Sequence, residues 1–90
     1  MKRVYKFEEA VQNCGFPDRV LVQFIERHWI EPQDREKKSM DEEDLARARL
    51  IFELQNDLGV NDEAVPIILH LIDELNHLHL QMRRFSSKRA

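Results

Sequence analysis

Internal disulfides are excluded at the outset, because the 90 residues hold a single cysteine, Cys14. A lone thiol fits a reducing, cytoplasmic compartment. With no second Cys or neighbouring His, Cys14 reads as a small apolar core group rather than a metal or redox residue. Glycine and proline are also scarce, two and three residues, which suits a helical protein. No run of 18 apolar residues exists, so no membrane span is expected. The opening Met1-Lys2-Arg3-Val4-Tyr5-Lys6 is basic but leads into no apolar stretch, so it is not read as a secretory signal. A glycine-rich phosphate loop, a nucleophile elbow, HExxH and CxxC are all missing. No catalytic residue, cofactor site or metal site is therefore assigned, and the protein is read as a non-enzyme.

Charge is plentiful but uneven. Net charge is −3, yet residues 82–90 hold Arg83, Arg84, Lys88 and Arg89 and no acid. The other 81 residues carry 10 basic and 17 acidic groups, a balance of −7. An acidic body is a poor start for neutralising duplex phosphates, so nucleic acid is an unfavoured partner. It is a better start for meeting a basic protein. The basic tail suits the C-terminal end of a helix dipole.

In chain order, residues 1–6 read as a short extended segment. Phe7 to Gly15 reads as a first helix. Phe7, Val11 and Cys14 share one face, Glu8 and Glu9 favour the first turn, and Gly15 supplies the stop. A second helix follows Pro17, with Val20, Leu21, Phe24, Ile25, His28 and Trp29 at helical spacing up to Pro32. Two helices joined by a short turn containing Gly have the shape of a helix-turn-helix. A reading helix needs polar groups aimed at base edges. Here Val20, Leu21, Val22 and Phe24 stand in the way, leaving Arg19, Gln23 and Arg27. Val22, outside the main apolar stripe, suits a protein contact better.

Residues 31–40 are a polar connector, a wing or irregular loop, in which Lys37 and Lys38 could meet phosphate. The third helix starts at Ser39 or Asp41; Ser39 and Glu42 have capping-box spacing, and Glu42, Glu43 and Asp44 load its first turn. Leu45, Ala48, Ile51 or Phe52, Leu54 and Leu58 line its buried side, and Gly59 ends it. Asn61 caps a short helix leading through Pro66.

The last helix, residues 65–85, organises the chain. Ile68, Leu71, Leu75, Leu78, Met82 and Phe85 are spaced 3, 4, 3, 4, 3, the a/d seam along which two helices supercoil. Its front half is apolar nearly all round and is expected in the core. The rest is read as a dimerisation seam, the alternative being a helix folded back on its own domain. His70 and His77 sit about 10.5 Å apart along the axis, too far to share a zinc ion, and His79 points to another face. They are expected as surface or dimer-edge imidazoles; at a seam, their protonation would weaken association. The division expected is a helical domain over 1–64, the dimerisation helix over 65–85 and a disordered basic tail over 86–90.

This order of helix, turn, helix ending Trp29-Ile30-Glu31-Pro32, loop, Met40-Asp41-Glu42-Glu43-Asp44-Leu45, helix ending Asp57-Leu58-Gly59-Val60 and a final apolar helix resembles the MerR-type winged helix-turn-helix. The resemblance implies an all-α fold with a C-terminal dimerisation helix. The polar residues of that family's reading helix are replaced by Val20, Val22 and Phe24, and those of its wing by Lys38 and Met40. No metal cysteines and no effector domain follow. With these losses, and with Leu71, Asp73-Glu74-Leu75, His77-Leu78 and Arg84-Phe85 at its end, the chain is similar to the CbpM-type chaperone modulators. That resemblance implies a homodimer that binds the J-domain of a CbpA/DnaJ-like co-chaperone and restrains its stimulation of DnaK. The implied mechanism is competition: a J-domain presents a basic helix to its Hsp70, and an acidic surface can occupy it.

The partner-binding candidates are Val22, the acids Asp41, Glu42, Glu43 and Asp44, and Glu53, Asp57, Asp62 and Glu63; Phe24 and Trp29 are alternatives unless they serve the core. A small DNA-binding regulator would instead use Arg19, Gln23 and Arg27 in the groove and Lys37 and Lys38 in the wing. A tethering module would use the last helix alone.

Overall fold

The computed structural model describes residues 3–89, with side chains through residue 86. The chain forms two compact units, Met1–Val60 and Asn61–Ala90. The first holds β1 (Val4–Tyr5), α1 (Phe7–Cys14), α2 (Asp18–Glu26), β2 (Met40–Asp41) and α3 (Glu42–Asn56); the second holds α4 (Val65–Arg89). The fold is mostly helical, as expected, with one small addition. β1 and β2 pair antiparallel, Val4 opposite Asp41 and Tyr5 opposite Met40. Each strand is too short to show an alternating pattern.

In the first unit, α1 starts where the Glu9 carboxylate accepts the Lys6 N–H at 3.0 Å. It stops at Gly15, whose φ of 81° lets its N–H reach the Val11 carbonyl at 3.0 Å. Ala10 is the fully buried residue of α1, while Phe7, Val11 and Cys14 are half-buried. Tyr5, Phe16, Leu21, Phe24, Ile25, Trp29, Ile30, Met40, Leu45, Ala48 and Ile51 complete the core. Phe16 stacks on Phe52 at 4.6 Å and meets Phe24 edge-on at 6.0 Å, geometries that aromatic quadrupoles favour.

α2 is shorter than its spacing suggests. The Trp29 N–H reaches back to the Phe24 carbonyl and the His28 N–H to that of Ile25, both at 3.0 Å. His28 takes a φ of 62°. This is a Schellman ending with His in the place glycine usually takes. The chain leaves the helix there, and Trp29 and Ile30 turn into the core, Trp29 against Phe24 at 5.7 Å. Their helical spacing reflects burial, not helix. Arg47 fixes this exit by donating its Nε–H to the Trp29 carbonyl at 2.7 Å.

The connector holds an ordered turn. The Asp34 carboxylate accepts the N–H groups of Glu36 and Lys37, each at 3.1 Å, and its carbonyl accepts that of Lys38 at 2.7 Å. α3 is capped by Asp41 rather than Ser39. Asp41 Oδ1 accepts the Asp44 N–H at 2.8 Å, and Asp44 Oδ2 accepts the Asp41 N–H at 3.1 Å. This is a capping box built from two aspartates. α3 ends at Asn56, before Gly59 (φ 67°). Leu58 therefore lies beyond the helix and is 72% exposed, not on its buried side.

In the second unit, the Asn61 side chain accepts the Ala64 N–H at 2.9 Å across a turn, where a short helix was expected. α4 follows at once, with Pro66 in the first turn, where its missing N–H leaves no bond unmade. Its helical backbone continues to Arg89, through residues 86–89 of the expected tail. Val65 and Leu69 are buried; Ile68 and Ile72 are half-buried.

Candidate protein-interaction surfaces

Three surfaces carry the residues singled out by the sequence. The first is the outer face of α2. Asp18, Arg19, Val20, Val22, Gln23 and Glu26 line a shallow concavity. Val22 is half-buried in it, and the two acids stand one turn before and one turn after. Phe24 and Trp29 are buried in the core and offer no contact surface. Of the groups a DNA reader would use, Arg19 and Gln23 share the concavity with Asp18 and Glu26, whose charge repels phosphate. Arg27 lies over the Trp29 ring, 5.1 Å from its centroid. Lys38 lies over the Phe7 ring at 5.6 Å.

The second surface is α3. Its four leading acids do not act alike. Asp41 and Asp44 are half-buried and occupied with the cap. Glu42 accepts a 3.3 Å hydrogen bond from the Tyr5 hydroxyl. Glu43, Glu53 and Asp57 are exposed. Together with Ala46 and half-buried Leu50, they recur at i, i+3, i+7, i+10 and i+14, so they form one ridge along the solvent side of α3. Its length is about 21 Å at 1.5 Å per residue. Asp62 and Glu63 are exposed in the turn that opens the second unit.

Burial pushes the Asp44 carboxyl above the usual carboxylate range, with the like charges of Asp41 and Glu43 adding to this and the Asp41 backbone hydrogen bond opposing it. With its folded pKa raised, Asp44 favours folding in the protonated form. Its ionisation costs stability above that pKa, and stability returns as pH falls through it. Asp44→Asn keeps an acceptor for the Asp41 N–H and removes the charge, so thermal unfolding at pH 7 should show no loss of stability. Asp41→Ala removes the cap itself and should cost about 1 kcal/mol in the same measurement.

The third surface is α4. Leu71, Leu75, Leu78, Met82 and Phe85 are exposed along one stripe, and Ile67, also exposed, falls on the same side. Ile68, the seam's first expected member, is half-buried instead. Leu80 is exposed on the opposite face, nine residues (2.5 turns) from Leu71. The spacing that suggests a seam does not separate Ile67 from Ile68, because both neighbours are apolar. His70 and His77 lie outside the stripe: His70 approaches Glu74 at 3.9 Å, and His77 meets Gln81 at 3.2 Å. Among the described residues, no group of three or more His, Cys, Asp or Glu could hold a metal ion. Burial pushes the Cys14 thiol up, against the pull of Arg49. It is thereby kept from the reactive thiolate form.

The family profile described as "MerR HTH family regulatory protein" matches residues 5–87. The chain belongs to the MerR HTH family. The chain is also similar to the chaperone modulatory protein CbpM of Coxiella burnetii, in strains Dugway 5J108-111 and RSA 331 among others. Each is 28% identical over 80 residues, covering 87% of this chain and 76% of the relative. The recognition made from sequence, a CbpM-type, MerR-like protein, is supported by both comparisons. The family is described as regulatory and these relatives as chaperone modulatory. No helix among the described residues of this MerR-like chain is long and apolar enough to cross a membrane.

Proposed function

We propose that this MerR-like protein is a dimeric, non-catalytic modulator that binds the J-domain of a CbpA/DnaJ-like co-chaperone and restrains its stimulation of DnaK. The observation that carries this reading is the similarity to CbpM over 87% of the chain. The α3 ridge of Glu43, Glu53 and Asp57 supports it, because an exposed acidic face suits the basic helix that a J-domain presents. Val22 on α2, with Asp62 and Glu63 in the second unit, are further candidate contacts. The α4 stripe of Leu71, Leu75, Leu78, Met82 and Phe85, with Ile68 at its start, is the proposed dimer seam. The single thiol suits action in the cytoplasm.

The family match favours one second reading, a small DNA-binding regulator using Arg19, Gln23, Arg27, Lys37 and Lys38. Calorimetry of the purified protein with the J-domain of its own organism's CbpA-like co-chaperone, at moderate salt, tests the first. Micromolar or tighter binding near one J-domain per chain is expected. A folded protein that gives no heat overturns the modulator reading. Duplex binding that falls steeply with salt would establish the second.

A further inference from the structure

Among the described residues, His28 and Lys38 (φ 54°) are the two non-glycine residues that take a left-handed backbone, and His28 does so at a helix end. It occupies the left-handed position that ends α2, which glycine would take without steric cost, with φ 62°. Its ring explains the choice of a side chain there. His28 Nδ1 lies 3.2 Å from the Arg35 Nη1 and 3.4 Å from a Glu31 carboxylate oxygen. One nitrogen cannot serve both partners in the same protonation state. Arg35 can only donate, so it needs Nδ1 bare. Glu31 can only accept, so it needs Nδ1 to carry a proton. Among the described residues, Glu31 and Arg35 are the charged groups within reach of the ring. Asp34, on the same turn as Arg35, instead accepts from the Glu36 and Lys37 amides.

We propose that His28 is a protonation-operated latch for the connector between α2 and β2. With the imidazole neutral and its proton on Nε2, Arg35 donates to Nδ1 and ties the 34–38 turn to the end of α2. When the imidazole takes up a second proton, Nδ1–H turns to Glu31. Two like charges then face each other where the hydrogen bond was, and Arg35 is released to solvent. An imidazole nitrogen can either accept a hydrogen bond or carry a proton, so protonation is what opens the latch. The helix ending itself survives, because its bonds run between backbone groups of Phe24, Ile25, His28 and Trp29. The turn also keeps its own Asp34 bonds and swings as a unit. This latch does not depend on what the protein binds.

Heteronuclear NMR between pH 8 and pH 5 tests it on the full chain. At pH 8, the Nδ1 nitrogen shift should be that of an unprotonated acceptor. On acidification, the amides of residues 34–38 and the Arg35 guanidinium should shift together with the His28 ring, in one transition. In Arg35→Gln the ring should still titrate, while the 34–38 shifts shrink severalfold. In His28→Asn, which tolerates the left-handed backbone, the loop transition should vanish. A protonated Nδ1 at pH 8 would overturn the proposal. So would a ring that titrates without the loop, or loop shifts of full size in Arg35→Gln.

Discussion

Leu75→Glu is expected to turn a dimer into a monomer. Leu75 is 52% exposed on α4, so a glutamate there is tolerated by the single chain. In a paired seam the same side chain would be stripped of water with no partner. Losing a buried Leu forfeits about 2 kcal/mol of apolar burial, and burying an unpaired carboxylate costs several more. The substitution is made in both copies, so the effect doubles. Charge would favour one direction for the proposed helix pair. A parallel pair would crowd the Arg83, Arg84, Lys88 and Arg89 ends of both chains together, whereas an antiparallel pair keeps them at opposite ends. A proposed antiparallel register would set Leu75 against Leu78, Leu71 against Met82 and Ile68 against Phe85 of a second copy. All six proposed seam positions would then be used, with Leu75 in the central layers. Sedimentation equilibrium should show the monomer mass for Leu75→Glu and the dimer mass for Leu80→Glu, whose position is 51% exposed on the opposite face. An unchanged mass for Leu75→Glu, or dissociation by both variants, would remove the seam.

Helix existence was legible wherever a periodic stripe coincided with local end signals. Gly15 stops α1 and Asn61 opens the turn before α4, and both were visible as residue types with a known role. What misled was burial without helix. Trp29 and Ile30 keep the spacing of α2 because the core needs them, but they reach it from a chain that has already turned at His28. No glycine marks that turn, so the sequence offers no sign of it. Leu58 failed the opposite way: it continues the apolar period of α3 past the helix that gives the period meaning. On the surfaces, residue type showed where the acids are but not which are occupied. Asp41 and Asp44 look like Glu53 and Asp57 in sequence; a reciprocal cap separates them, and only geometry displays it. The latch residues escaped for a related reason, since His28, Glu31 and Arg35 match no motif and become a group only once α2 has ended.

That division of the acids decides which charges to reverse. Reversing Asp44 would break the cap of α3, and any loss of binding would then be loss of fold. Glu53→Lys with Asp57→Lys avoids this, because both residues are exposed. Lysine also suits the C-terminal end of a helix better than an acid does. The double variant should therefore fold at least as stably as the parent. It changes the ridge by four charge units, from attracting a basic helix to repelling it. Exposed charges act mainly on the encounter rate, so association with the J-domain should slow by about tenfold at low ionic strength. Salt screens charges beyond a Debye length of about 3 Å at 1 M. The parent and the variant should therefore converge as salt is raised, while dissociation rates stay similar throughout. Stopped-flow association at several salt concentrations separates the cases. Equal rates at low salt would place the contact elsewhere, with the α2 concavity around Val22 next to be tested. A difference that persists at high salt would mean that these residues make direct, desolvated contacts rather than steering the approach.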